Sequence, residues 1–200
     1  ELKRTRLQII QRLGHAAEYK DNETGMHVMR MSHYSKVIAL AYGFSEQEAD
    51  NLLHAAPMHD LGKIGIADSI MLKPGRLSEA EFEIMKTHPI IGANILGDDD
   101  SDLITLAKTV ALTHHEKWDG SGYPNGLAGN AIPIEGRIVA LADVFDALTS
   151  IRPYKEAWTV EESMKYIKTQ SGVHFDPDLV VVFEQELDKI LVIKERWQDQ

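Results

Sequence analysis

Candidate metal ligands are scattered through this chain, and a fold that uses them must bring distant segments to one place. Glu23 and His27 come first, then His59-Asp60, His88, His114-His115 and Asp143. With nine histidines and no cysteine, imidazole and carboxylate are the available donors, and both suit hard or borderline divalent ions. A set of this size can hold a cluster that activates water and neutralises a phosphate ester.

Spacing narrows the roles. Glu23 and His27 are four apart and share one face of a helix. Asp143 and Asp146 are three apart and also share a face, so one can bind a metal while the other orients a ligand or water from behind it. Asp60 can bridge two ions while the adjacent His59 binds one. His114-His115 can direct two nitrogens at a metal if the helix end is locally distorted. His33 lies six beyond His27 and His54 five before His59, so both point elsewhere. Together with His15 and His174 they read as surface or core-edge histidines.

Helical signals dominate the chain. Leu2, Leu7, Ile10 and Leu13 recur at helical spacing in a basic opening segment that ends near Gly14. A second helix is expected from about Glu23 to Tyr42, before Gly43. Ser45 with Glu48 forms a capping box for a third helix toward Met58, its last turn distorted by Pro57. The same signal recurs at Ser78 with Glu81, ahead of a helix through Ile84, Met85 and His88, and at Thr159 with Glu162. Asp102 to about His115 and Ile134 to about Leu148 read as buried helices. Asp176-Pro177 reads as the start of a last helix toward Trp197. The glycine-rich linker from Glu116 to Pro133 is long for a passive connection. Gly136 weakens its helix by about 1 kcal/mol relative to alanine, with no role evident. No sustained alternation marks a large sheet, so one all-α domain is expected.

Composition excludes some functions. The formal charge is −10, with 31 acidic against 21 basic residues, which argues against DNA or RNA binding through the general surface. A small phosphorylated substrate stays open, because bound metals reverse the local field. No segment has the apolar length of a membrane span. The missing cysteines fit a reducing compartment. Glu1 in place of an initiating Met leads us to expect a fragment or processed chain with a further domain upstream.

These motifs resemble the HD-GYP domain, a subclass of the HD superfamily of metal-dependent phosphohydrolases. His59-Asp60 matches the first motif and Gly122-Tyr123-Pro124 the second. The likeness extends over Glu23 to His27, His59 to Gly65, His88, His114 to Pro124, Gly126, Leu127, Gly129, Ile132-Pro133, Ala142 to Thr149, Arg152-Pro153-Tyr154 and His174 to Pro177. It spans about residues 20 to 185. The departures are small: Lys117 stands where many relatives carry arginine, and Glu135-Gly136 where an alanine often precedes Arg137-Ile138.

The resemblance implies a single HD-superfamily helical bundle with a glycine-rich GYP loop. Residues 1–19 would be a linker or first helix and 20–200 the catalytic domain. It implies hydrolysis of cyclic di-GMP to pGpG, and in some members on to GMP, by a metal-bridging hydroxide. Some relatives prefer cyclic GMP-AMP. Two or three metal ions, commonly iron or manganese, would be held by His27, His59, Asp60, His88, His114, His115 and Asp143. Glu23 favours the three-metal type.

By the same resemblance Lys63 contacts the scissile phosphate, and Arg152 and Lys155 grip substrate phosphate. Asp146 orients substrate or a ligand. Tyr123 either stacks on guanine or hydrogen-bonds to substrate, or merely ties down the loop together with Trp118. The resemblance further implies a contact of this loop with diguanylate cyclase domains, an upstream receiver or sensory module, and a bacterial cytoplasmic home. The opening helix could support a homodimer. Two other readings compete: a catalytically weak dinucleotide receptor or scaffold, and an HD hydrolase of another cyclic dinucleotide or phosphoester.

Overall fold

Paired side chains open three of the helices. Ser45, Ser78 and Thr159 each accept from a backbone N–H three residues on, while Glu48, Glu81 and Glu162 reach back to the N–H of the capping residue. The computed structural model describes residues 12–14, 16, 17, 20, 25–98, 100–151 and 156–198. Leu2, Leu7, Ile10, His15, Glu23, Arg152, Pro153, Tyr154 and Lys155 lie outside them.

The elements are α1 (Gly25–Tyr42), α2 (Glu46–Ala55), 3₁₀ turns at Ala56–Met58 and Leu61–Gly65, α3 (Asp68–Met71), α4 (Glu79–Met85) and α5 (His88–Leu96). Next come α6 (Asp102–Thr113), a 3₁₀ turn at Gly129–Ala131 and α7 (Ile134–Thr149). The chain finishes with α8 (Val160–Thr169), α9 (Pro177–Gln185) and α10 (Leu187–Arg196). The described residues hold no strand beyond an isolated bridge between Ser171 and Phe175. The described residues form an all-α bundle, and no described helix is long and apolar enough to cross a membrane.

Helix α1 lies against α2, α7, α9 and α10, and α6 packs on α2, α5 and α7. Met31, Tyr34 and Ile38 from α1 meet Leu52, Val110, Ile138, Phe145, Phe183 and Ile190 in one core. Phe145 sits at its centre, edge-on to Tyr34 at 5.8 Å and to Phe183 at 4.9 Å. Fully burying a side chain of this size contributes about 1.5–3 kcal/mol.

The structure departs from the sequence reading at three places. The helix capped by Ser78 stops at Met85 instead of running through His88. Pro89 is the reason: it has no N–H for the Met85 carbonyl four residues back, and its ring would clash there. His88 therefore opens α5, with Pro89 in its first turn.

The segment from Pro177 toward Trp197 is two helices, divided at Glu186 (φ −96°, ψ 6°). The second ends against α1 and α7, where Arg30 donates to the Trp197 carbonyl at 2.7 Å and Lys194 to the Thr149 carbonyl at 2.7 Å.

Gly136 has a packing role after all. A Cβ there would lie 2.0 Å from Thr113 Oγ1, so its absence lets α7 cross α6 one residue before His114.

The described part of the opening segment sits on the same region. A Cβ on Gly14 would lie 2.5 Å from the Pro57 carbonyl oxygen. Lys20 donates to the carbonyls of Ile64 at 2.8 Å and Ile66 at 2.6 Å. This segment thus touches the chain on both sides of His59-Asp60.

Candidate metal centre

The bundle gathers seven of the eight expected ligands into two adjoining groups. Asp60, His88, His114 and His115 form one, and His27, His59 and Asp143 the other, with the donor atoms of each within 4.8 Å of one another. Asp60 lies between them. Its Oδ2 is 3.2 Å from His59 Nε2, while its Oδ1 is 3.1 Å from His88 Nε2 and 3.4 Å from His114 Nε2. His27 Nε2 is 3.3 Å from Asp143 Oδ1. Glu23, the eighth, lies outside the described residues.

Local backbone geometry aims these rings. His59 Nδ1 donates to the Ala56 carbonyl at 2.9 Å, and His88 Nδ1 to the Met85 carbonyl at 2.8 Å. The acceptor for His88 is the carbonyl that Pro89 cannot use. His114 Nδ1 donates to the carbonyls of Val110 and Ala111, each at 3.1 Å. His27 Nδ1 donates to Asp146 Oδ2 at 2.9 Å. With the proton fixed on Nδ1, each Nε2 turns a lone pair inward, as metal-binding histidines require.

Those inward atoms are the test of fit. The Nε2 atoms of His59, His88 and His114, and Oδ1 of Asp60, are buried without a hydrogen-bond partner. Buried polar atoms rarely stay unpaired, and four of them converging on one space suit a cation.

The charge pattern agrees with this. Burial would raise the Asp143 and Asp60 carboxyls, but His27 and His59 hold Asp143 low, and Lys63 with His59 holds Asp60 low. Both stay ionised. Burial pushes His114 and His115 down, the latter helped by the neighbouring His114, so both stay neutral. Burial also acts to lower His59, but the charges of Asp60 and Asp143 raise it to about 9.

Asp146 stands behind the cluster. It is fully buried and accepts from His27, from Arg30 Nε at 2.7 Å and Nη2 at 2.9 Å, and from Ser150 Oγ at 3.2 Å. Burial opposes its charge, yet the bonds from His27 and Arg30 bring its pKa down to about 2. Asp146 thereby fixes the orientation of the His27 ring. Arg30 is a site residue that the sequence reading missed. The available signal was its position three residues after His27, on the same helical face.

Lys63, on the turn after the cluster, places Nζ 2.7 Å from Asp60 Oδ2. Gly62 makes that turn possible, since a Cβ there would lie 1.8 Å from the His88 carbonyl oxygen. A groove of about 300 Å³ opens beside the cluster, lined by Lys63, Lys73, Met85, His88, His115 and Tyr123 among others. Lys73 is paired with Glu81 at 2.6 Å. Phe82 meets Tyr123 edge-on at 6.4 Å, extending the aromatic surface beyond the groove.

The glycine-rich loop folds back on the end of α6. Glu116, also given no role by the sequence reading, is buried and accepts from the N–H groups of Asn125 at 2.7 Å and Leu127 at 3.0 Å. The Tyr123–Pro124 peptide is cis. Trp118 packs under the Arg137 guanidinium at 5.6 Å.

The remaining described histidines stay out of both groups. His33 stacks on Trp197 and His174 on Phe175, while His54 lies on α2.

Comparison with known proteins agrees with this geometry. Residues 11–179 match the HD domain family. The chain is 49% identical over 180 residues to the cyclic di-GMP phosphodiesterase response regulator RpfG of Xanthomonas campestris, covering 90% of this chain and 48% of that one. It is 45% identical over 194 residues to the 3′3′-cGAMP-specific phosphodiesterase 2 of Vibrio cholerae, covering 97% and 37%. A cyclic di-GMP phosphodiesterase of Thermotoga maritima is 45% identical over 193 residues, covering 96% and 52%. The chain thus spans about half or less of the length of these relatives. The crystal structure of a cyclic GMP-AMP-specific phosphodiesterase of Vibrio cholerae shares the fold, with a TM-score of 0.71 at 23% identity, covering 94% of this chain and 50% of that one. With His59-Asp60 at the cluster and Gly122-Tyr123-Pro124 folded beside it, the chain belongs to the HD domain family, in its HD-GYP subclass.

Proposed function

We propose that this chain hydrolyses cyclic di-GMP to linear pGpG. The observation that carries this reading is the pair of ligand groups joined by Asp60, opening on a groove lined by Lys63. Two relatives named cyclic di-GMP phosphodiesterases match nearly the whole chain.

Divalent ions bound by His27, His59, Asp60, His88, His114, His115 and Asp143, with iron or manganese suited to these donors, would neutralise the phosphodiester and make coordinated water nucleophilic near neutral pH. The chain's own residues do the rest. Asp146 and the three carbonyl-bound histidines keep the imidazole lone pairs aimed inward. Lys63 meets the negative charge of the scissile phosphate. Arg152 and Lys155 hold substrate phosphate, the arginine with a planar fork and the lysine as a point charge. Tyr123 lines the groove where a base enters. Glu23 would contribute to holding a third ion.

A cyclic GMP-AMP dinucleotide is the second substrate to consider, because the relative covering 97% of the chain is named for it. The test is an anaerobic assay on both dinucleotides, with metal content measured on the same sample and iron or manganese restored. Cleavage of cyclic di-GMP that follows metal occupancy supports the proposal. Preferential cleavage of cyclic GMP-AMP moves the assignment to that substrate. No cleavage of either by fully loaded protein overturns it in favour of a receptor or scaffold.

A further inference from the structure

We propose that Tyr123 is the positioning residue for His115, its ring serving in place of the hydrogen bond that orients each of the other candidate histidine ligands. His27, His59, His88 and His114 have Nδ1 held by Asp146 or by a backbone carbonyl. No hydrogen bond holds the His115 ring among the described residues. A histidine ring turns easily about χ2, so something else must fix its aim.

That restraint is aromatic. The His115 and Tyr123 rings lie face to face, with centroids 4.7 Å apart and planes 24° from parallel. The His88 ring flanks His115 edge-on at 5.0 Å and lies 6.5 Å from the Tyr123 ring, beside the stacked pair. His115 is thereby covered on one face by the tyrosine and flanked by two members of its own group, His88 and, at 4.0 Å, His114.

The loop that brings Tyr123 there is itself anchored. The Tyr123 N–H donates to the His115 carbonyl at 3.1 Å. Glu116 accepts from Asn125 and Leu127 on the far side of the motif. Gly122 presses on the chain just after His115, where a Cβ would lie 2.3 Å from Lys117 N. These contacts hold the Tyr123 backbone beside His115. Because one face of the phenol ring covers His115, that face is closed to a substrate base.

This inference rests on the reading of Asp60, His88, His114 and His115 as a metal site. The experiment measures Mn²⁺ affinity and stoichiometry by calorimetry, and metal per chain after dialysis, for the wild type, Tyr123→Phe, Tyr123→Leu and Glu116→Gln. Tyr123→Phe keeps the ring and is expected to match the wild type. Tyr123→Leu is expected to bind one ion about 10–100-fold more weakly, the usual loss when a ligand-orienting partner is removed, and to retain the ion of the His27, His59 and Asp143 group. Glu116→Gln puts an amide N–H where an N–H donor must be accepted, so it loosens the loop with the ring intact and should weaken the same ion to a smaller degree.

Full affinity for every ion in Tyr123→Leu overturns the proposal. Equal loss in Tyr123→Phe and Tyr123→Leu does so too, by assigning the effect to the hydroxyl. If Tyr123→Leu lacks a cooperative melt, Glu116→Gln decides: wild-type affinity in a folded Glu116→Gln protein overturns the proposal. A wild type that binds no Mn²⁺ refutes the metal-site reading itself, a result distinct from the others.

Discussion

Replacing Gly62 with alanine is the sharpest perturbation the structure offers. A Cβ there would meet the His88 carbonyl oxygen at 1.8 Å, Gly92 N at 2.5 Å and the His88 carbonyl carbon at 2.8 Å. All three are backbone atoms and cannot rotate away. Restoring ordinary contact requires the turn and α5 to separate by roughly 1.5 Å. The turn carries Asp60 and Lys63, and α5 carries His88, with Asp60 Oδ1 and His88 Nε2 now 3.1 Å apart. Metal sites keep their ligand distances within about 0.2 Å, so the shift separates two donors of one ion. Overpacking costs about 1–3 kcal/mol, and a backbone clash belongs at the upper end. At about 2–4 °C per kcal/mol in a domain of this size, Gly62→Ala should melt about 6–12 °C lower and lose metal on dialysis.

The control sits across the same contact. A Cβ on Gly92 would lie 3.1 Å from Gly62 N and 3.6 Å from Ala111 Cβ, which is tight but tolerable. Alanine also favours a helix over glycine by about 1 kcal/mol, so Gly92→Ala should stay within about 1 kcal/mol of the wild type. Differential scanning calorimetry and metal analysis on both variants settle the matter. Wild-type metal content in Gly62→Ala, or equal damage from both changes, would refute the close-approach argument.

Arg30→Met should destabilise by about 3–5 kcal/mol in urea unfolding, because it strands the buried Asp146 carboxylate. Adding Asp146→Leu should recover part of that loss, and no recovery would show that the pair is not the cause. Lys63→Met should leave metal content unchanged while kcat/KM on cyclic di-GMP falls about 10–100-fold, the worth of one charge-assisted hydrogen bond. A loss of metal in that variant would argue for a structural role. His174 carries a pH signature: burial, aided by Lys117, lowers its pKa to about 4, against about 6.5 unfolded. Between these values the unfolded chain binds a proton that the folded chain excludes. The contribution is therefore whole above about pH 6.5, falls through that window as pH drops, and reaches up to about 3 kcal/mol. Urea midpoints at about pH 7 and about pH 5 should converge for wild type and His174→Gln at the lower value, and an unchanged gap would contradict the assignment.

Short-range information was legible in the chain. Ser45, Ser78 and Thr159 start helices where their capping boxes say, because the partners lie only three residues apart. The seven candidate ligands that the structure gathers could be named from the chain because motifs carry residue identity, whatever the distance between them. The break before His88 could have been read from Pro89, whose missing N–H is a local fact. The division at Glu186 carries no comparable signal.

Residue types and spacing thus determined an all-α chain with imidazole and carboxylate donors. Tertiary structure alone decided how those donors meet. Asp60 stands between two ligand groups because Gly62 lets its turn touch α5. His27 is oriented by Asp146 and Arg30 because α1 and α7 pack together, joining residues 119 and 116 positions apart. The loop reaches His115 because Glu116 draws it back. A helix propensity is a property of neighbours in sequence, whereas a close approach or a buried ion pair exists only once remote segments share the same water-free space.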